Sequence, residues 1–63
     1  MILKEIVRGD HKMVIKRGSI SYNGEQLYDI EYYEYFPSLR EWRFLSEDKD
    51  YTIGALNLMG ISV

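Results

Sequence analysis

Asn23-Gly24 stands between two runs of strand-forming residues, Gly18-Ser19-Ile20-Ser21-Tyr22 before it and Glu25-Gln26-Leu27-Tyr28-Asp29-Ile30-Glu31-Tyr32 after it. No other feature constrains the fold as strongly. A two-residue type I′ hairpin turn needs positive φ at both central positions, and Asn followed by Gly meets that demand at least steric cost. The chain is therefore predicted to double back here, setting Ile20 opposite Leu27, Arg17 opposite Ile30, Lys16 opposite Glu31, Ile15 opposite Tyr32 and Val14 opposite Tyr33. The opposite charges of Lys16 and Glu31 support that register independently.

Side chains alternate across a strand, so the register sorts the hairpin into two faces. Met13, Ile15, Tyr28, Ile30, Tyr32 and Phe36 form a face suited to a core. Val14, Ile20, Tyr22, Leu27, Tyr33 and Tyr35 fall on the other, interleaved with Lys12, Lys16, Asp29 and Glu31, which gives a mixed aromatic and charged surface. A bulge at Gly18 would shift the parity of the strand ahead of it.

Ile2 to Arg8 reads as a short first strand and Gly9-Asp10-His11 as its loop into Lys12. After the break at Pro37-Ser38, residues Leu39 to Leu45 read as a fourth strand, with Trp42 and Phe44 on one face because residues i and i+2 point together. Ser46 to Asp50 reads as a polar loop. Its last residue is placed to cap a helix from Tyr51 to Met59, with Ile53, Leu56 and Met59 or Gly60 as the apolar stripe and Gly60 as the stop. Gly54 inside that helix costs about 1 kcal/mol relative to Ala, so the helix relies on tertiary packing. A strand over residues 51–58 is the alternative, and Ile61-Ser62-Val63 offers a short edge strand. The expected fold is α+β, a four-stranded antiparallel meander with a C-terminal helix on one face, in a single domain spanning residues 1–63.

Composition narrows the function classes. A domain of 63 residues buries only about 60% of its unfolded surface. With no Cys and a single His, neither disulfides nor a structural zinc can support so small a core, which leaves a second subunit or a partner as the default support. A cysteine-free chain suits a reducing compartment. Lys4, Glu5 and Arg8 interrupt the first apolar stretch, unlike a signal peptide, and no run approaches the ~18–20 apolar residues of a bilayer span. A cytoplasmic protein without membrane contact is expected.

Nine of the residues are aromatic, six of them Tyr, an enrichment in strand-favouring types that makes the sheet the place to look for function. The net charge of −2 is unevenly spread. Lys4, Arg8, Lys12, Lys16 and Arg17 against Glu5 and Asp10 make residues 1–17 basic, whereas residues 18–39 hold Glu25, Asp29, Glu31 and Glu34 with no Lys or Arg. Neighbouring strands of opposite sign neutralise one another, and an acidic segment left uncovered would face a basic partner.

The chemistry of catalysis is sparse. His11 has no companion Cys or His for zinc, and a calcium loop begun at Asp48 would put Ile53 where Gly is needed and Met59 where Glu is needed. The serines lack a nucleophile elbow, and Lys16-Arg17-Gly18-Ser19 completes no phosphate-binding loop. Asp29 and Glu31 share a strand face as a carboxylate pair would, but a chain this short has little material for the walls of a pKa-shifting pocket. The expectation is a non-enzymatic module without cofactor or metal that binds a protein partner, or itself as a homodimer. Its contact residues are expected to be Tyr22, Tyr33, Tyr35, Leu27, Val14, Asp29 and Glu31. Single-stranded nucleic-acid binding by stacked tyrosines with Lys12 and Lys16 is the alternative, disfavoured by the carboxylates on that face and the negative net charge.

The string Tyr32-Tyr33-Glu34-Tyr35 resembles one found on a strand of the small acidic uracil-DNA glycosylase inhibitors of Bacillus phages. The likeness covers those four residues, and the basic N-terminal strand departs from the more acidic character of that family. What it implies is an inhibitory module of phage or mobile-element type in which Asp29 and Glu31, about 6.6 Å apart along a strand, mimic successive phosphates.

Overall fold

In the computed structural model, which describes residues 2–63, four antiparallel strands form one open sheet in the order β1-β2-β3-β4 and a single short helix follows. The strands are β1 Ile2–Arg8, β2 His11–Ile20, β3 Gln26–Phe36 and β4 Glu41–Tyr51, and the helix α1 is Ile53–Leu58. This is the expected ββββα meander. None of its described helices is long and apolar enough to cross a membrane.

The first two turns explain the register of β2 with its neighbours. Gly9, at φ 59°, and Asp10 join β1 to β2 directly, with Arg8 opposite His11. A glycine of positive φ at the first central position is the signature of a type II′ turn. The turn at Asn23-Gly24 is three residues long rather than two. Ser21 and Glu25 close it through Ser21 N–H to the Glu25 carbonyl at 2.8 Å, and Gly24 N–H bonds the Ser21 carbonyl at 2.9 Å. Asn23 keeps a negative φ while Gly24 takes φ 87°, the form in which a type I turn is followed by one left-handed glycine. The side chains of Ser21 and Asn23 favour this form, since both accept from Glu25 N–H, at 3.1 and 3.3 Å.

The longer turn shifts the ladder by one residue, and a bulge in which Gly18 and Ser19 together oppose Leu27 shifts it by one more. Ile15 therefore lies opposite Ile30, Lys16 opposite Asp29 and Arg17 opposite Tyr28, two residues from the predicted partners. Two offsets restore parity, so the division of β2 and β3 into faces survives ahead of the bulge. Beyond it parity reverses, and Ile20 pairs with Gln26 on the Tyr28 side instead of joining Val14.

β4 differs most from expectation. The polar stretch Ser46 to Asp50 is strand, not loop, because β3 offers it partners: Ile30 pairs with Asp48, Glu31 with Glu47 and Tyr32 with Ser46. Asp50 turns with φ 65°, and Thr52, not Asp50, caps the helix by accepting Ala55 N–H on its hydroxyl at 3.0 Å. The helix is thus shorter than predicted. It ends as foreseen at Gly60 (φ 79°), where Gly60 N–H reaches the Asn57 carbonyl and Ile61 N–H the Leu56 carbonyl. That pair of bonds is a Schellman motif, and its characteristic apolar contact is between Leu56 and Ile61.

Those two residues complete the core with Ile15 and Ile30; Ile6, Met13, Tyr28, Tyr32 and Tyr51 pack around them. Of the predicted helix stripe only Leu56 is buried, while Ile53 and Met59 stay exposed. Ile61 leaves no edge strand at the C-terminus: the tail crosses the core face instead, held where Lys4 Nζ donates to the Ser62 carbonyl at 2.9 Å. Phe36, at the far end of β3, lies beyond this cover and is exposed.

Candidate functional site

The helix and tail occupy one face of the sheet. Strand pairing places four rows of residues across the opposite face. Tyr35 and Trp42 form the first, Val7, Lys12, Tyr33 and Phe44 the second, Glu5, Val14, Glu31 and Glu47 the third, and Ile2, Lys16 and Asp29 the fourth. Trp42 and Phe44 join Tyr33 and Tyr35 because the loop after Phe36 is four residues long, which sets Tyr35 opposite Trp42 and Tyr33 opposite Phe44. Arg40 closes that loop at φ 53°.

The first two rows form an aromatic cluster. Tyr33 meets Phe44 edge to face with ring centroids 5.8 Å apart, and Tyr35 lies tilted against Trp42 at 5.1 Å. Pairs of this geometry contribute about 0.5–1.5 kcal/mol beyond the area they bury. The Lys12 ammonium sits 4.8 Å from the Trp42 ring centre and 5.2 Å from that of Tyr33. It is held between the rings by their negative faces. Phe44 and Val7 are each more than half exposed, at 55% and 56%.

The other two rows cover themselves. Lys16 Nζ lies 2.8 Å from Glu31 and 3.2 Å from Glu47, and the Tyr33 hydroxyl donates to Glu31 at 2.9 Å. The predicted Lys16–Glu31 contact therefore forms diagonally, although the two are not ladder partners. The hydrogen bond from Lys16 holds the Glu31 carboxyl below the usual carboxylate range. The bonds to Glu31 and then Glu47 raise Lys16, and the bond to Glu31 raises the Tyr33 phenol. Beneath this network Val14 is only 2% exposed although no helix lies above it.

Asp29 is nearly buried at 9% exposure, seated over Gly18 and facing Asp50 N–H at 3.4 Å. Asp50 in turn accepts from the Ser19 hydroxyl at 3.1 Å. The bulges at Gly18-Ser19 and at Lys49-Asp50 flank Asp29 on both sides and make room for it.

Comparison with known protein families, curated proteins and solved structures gives no match for this chain. Its site therefore rests on geometry alone.

The predicted contact residues separate accordingly. Tyr33 and Tyr35 lie at the centre of the aromatic cluster. Val14, Asp29 and Glu31 share their face but are buried or tied into the polar network, so they shape the surface without presenting it. Leu27 is half-buried opposite the bulge. Tyr22 is not on the face at all; it projects from the hairpin loop, fully exposed at 104%. Trp42, Phe44, Val7 and Lys12 are the contact-forming residues that sequence reasoning left out. The alternation of Trp42 and Phe44 was a signal for two of them, needing only the length of the Pro37–Arg40 loop to join them to the tyrosines.

Proposed function

We propose that the protein is a small non-enzymatic module that binds a protein partner through the aromatic half of the sheet face opposite α1, with Tyr33, Tyr35, Trp42 and Phe44 as its contact residues. The observation that carries this reading is the cluster itself: four packed rings and a valine in two adjacent rows, with Phe44 and Val7 more than half exposed and no element above them among the described residues. Pre-packed aromatic side chains offer large contact area at little entropic cost, which is why they dominate binding hot spots.

Two observations weigh against the alternatives. Lys12 and Lys16, the cations a nucleic-acid strand would need on this face, are committed to Glu5 at 3.8 Å and to Glu31 and Glu47. Counterion release requires cations free to neutralise phosphates. For catalysis, the Asp29 and Glu31 carboxylates are sequestered as described. A cavity of about 180 Å³ on the helix side is lined by Ile6, Met13, Met59, Gly60 and Ile61 with Arg8, which places no acid–base pair in it.

The test is capture of a partner from the native cell by the wild type, by a Tyr35→Ser/Phe44→Ser variant and by a Leu58→Ser control on the exposed outer side of α1. The complex should disappear with the sheet-face variant and persist with the control, all three unfolding cooperatively. Binding that survives the double change would refute the site.

A further inference from the structure

The tip of the β2–β3 hairpin carries a chemistry that the sheet face does not use. From its geometry we infer that Asn23 is a self-modification site, deamidated through the Gly24 nitrogen at a rate that Ser21 restrains. The site lies apart from the aromatic cluster and does not depend on that cluster having a partner.

Three features of the tip permit the reaction. Asn23 and Gly24 are both exposed, and the Asn23 Nδ2 that must leave has no hydrogen-bond partner among the described residues, only Oδ1 being held. Gly24 has no Cβ to crowd its nitrogen, and nothing lies within 4 Å of the place a Cβ would take, so a five-membered ring has room to form. Loop tips also open locally at least cost. The chain's other asparagine, Asn57, is exposed as well. It lies inside α1 and precedes Leu58, so the helical backbone and a branched side chain keep the next nitrogen from its amide.

Hydroxide removes the Gly24 N–H proton and the nitrogen attacks Cγ of Asn23. A Cγ–N bond forms, the Cγ–Nδ2 bond breaks, and ammonia departs with a proton from solvent. Water then opens the cyclic imide at one of its two carbonyls. Addition at Cγ gives an ordinary aspartyl residue; addition at the main-chain carbonyl leaves the chain running through Cγ, an isoaspartyl link one methylene longer. Either product adds one negative charge to the net −2. The closed turn opposes the first step. Gly24 N–H is bonded to the Ser21 carbonyl at 2.9 Å, and Asn23 Oδ1 accepts from the Ser21 hydroxyl and from Glu25 N–H at 3.3 Å. Ser21 Oγ also accepts from Glu25 N–H at 3.1 Å, so the turn must open at Ser21 before the nitrogen reaches Cγ. The aspartyl product keeps the acceptor for Ser21 and Glu25. In the isoaspartyl product that acceptor becomes main chain and the turn is too long for its closing bonds of 2.8 and 2.9 Å, so the adjoining Ile20–Gln26 pair frays. Tyr33 is seven residues along β3 from Gln26, about 23 Å, and the aromatic cluster keeps its packing.

The test ages the intact chain at physiological temperature in mildly alkaline buffer and maps its peptides by mass spectrometry, with enzymatic methylation to detect isoaspartate. Ammonia should be lost at Asn23 at least tenfold faster than at Asn57, with isoaspartate confined to the Asn23 peptide. Ser21→Ala removes the hydroxyl contacts to Asn23 and Glu25 and should speed the loss about fivefold, the weight of one net hydrogen bond in the opening equilibrium. Asn23→Asp makes one product directly and should keep the wild-type Tm and the amide protection of Ile20 and Gln26, whereas the isoaspartyl form, separated by ion exchange, should lose that protection. Loss at Asn23 no faster than at Asn57, or a rate that Ser21→Ala leaves unchanged or lowers, would overturn the site and its restraint. An isoaspartyl form as protected at Ile20 and Gln26 as Asn23→Asp would overturn the account of the turn.

Discussion

A methyl group added at Gly18 tests the seating of Asp29. Gly18 does not have positive φ, so the backbone accepts Ala there. In a strand Gly→Ala ordinarily stabilises by about 0.5–1 kcal/mol, through lower unfolded-chain entropy. Here the new Cβ would lie 2.5 Å from Asp29 Oδ1, 2.9 Å from Cγ and 3.1 Å from Oδ2. The whole carboxylate must move, and a two-torsion side chain at 9% exposure has little room to do so. Overpacking of this kind costs about 1–3 kcal/mol, which leaves a net loss of about 1 kcal/mol at mid-range and up to about 2.5 kcal/mol. For a domain of this size each kcal/mol shifts Tm by about 8 °C, so Gly18→Ala should lower Tm by about 10 °C at mid-range and by up to about 20 °C. In an Asp29→Ala background the obstruction is gone, and the same change should raise Tm by about 4–8 °C. Thermal unfolding of the four proteins by circular dichroism, at one protein concentration, reads both signs. If Gly18→Ala raises Tm with Asp29 intact, or if removing Asp29 leaves its effect unchanged, the carboxylate does not occupy the space above Gly18.

The remaining predictions concern the helix and the polar network. Thr52→Ala removes the acceptor for Ala55 N–H and should cost about 1 kcal/mol, with Thr52→Ser restoring most of it; urea unfolding measures the difference. Lys16→Met should alter both ends of the pH–stability profile. Because Glu31 is lowered by Lys16, its contribution is complete above the unfolded carboxyl pKa and disappears as pH falls through the lower folded value. Because Lys16 is raised by Glu31 and Glu47, its contribution is complete below the unfolded lysine pKa and disappears as pH rises through the higher folded value. The stability difference between wild type and Lys16→Met, followed by denaturant midpoint against pH, should therefore be flat through neutrality and shrink at both extremes. A difference constant across the whole range would show that the ion pairs do not form in solution.

The fold was legible wherever a local rule spoke alone. β1 has the predicted bounds, because β-branched residues run straight into a Gly-Asp turn. Gly60 ends the helix as read, because a left-handed position after a helix has few other solutions. The ladder partners of β2 were not legible, since the Ser21 and Asn23 side chains compete for the turn and select its three-residue form. Composition misled at Ser46 to Asp50. Five polar residues look like a loop, yet Glu47 is in a strand because Lys16 reaches it from two strands away, and Asp48 because the Tyr32 and Tyr51 hydroxyls donate to it at 3.0 and 3.3 Å. Burial and the bond to Asp48 push the Tyr32 phenol well above its usual range. Such partners are distant in sequence, and no window along the chain contains them. The candidate site was half legible for the same reason. Its tyrosines sit on the strand whose parity a single hairpin determines, while Trp42, Phe44 and Val7 reach the face only through pairings on either side of that hairpin.

Side-chain length and shape explain why one half of the open face stays uncovered and the other does not. Every residue opposite the helix was exposed in principle, yet Val14 and Asp29 are as hidden as core residues. Long charged side chains on adjacent strands reach across a row and close over what lies beneath, using their aliphatic stems as cover and their ends as hydrogen-bonding groups. Rings cannot close over one another in that way. They pack edge against face with their outer surfaces still open, and the single cation among them, Lys12, is drawn onto the rings instead of across them. An apolar surface of that kind is covered only from outside. Because four apolar residues make up the buried core cluster among the described residues, whatever covers the rings also stabilises the fold. An occupant present at a hundred times its dissociation constant adds about 2.7 kcal/mol, a substantial fraction of the ~5 kcal/mol at the lower end of domain stabilities.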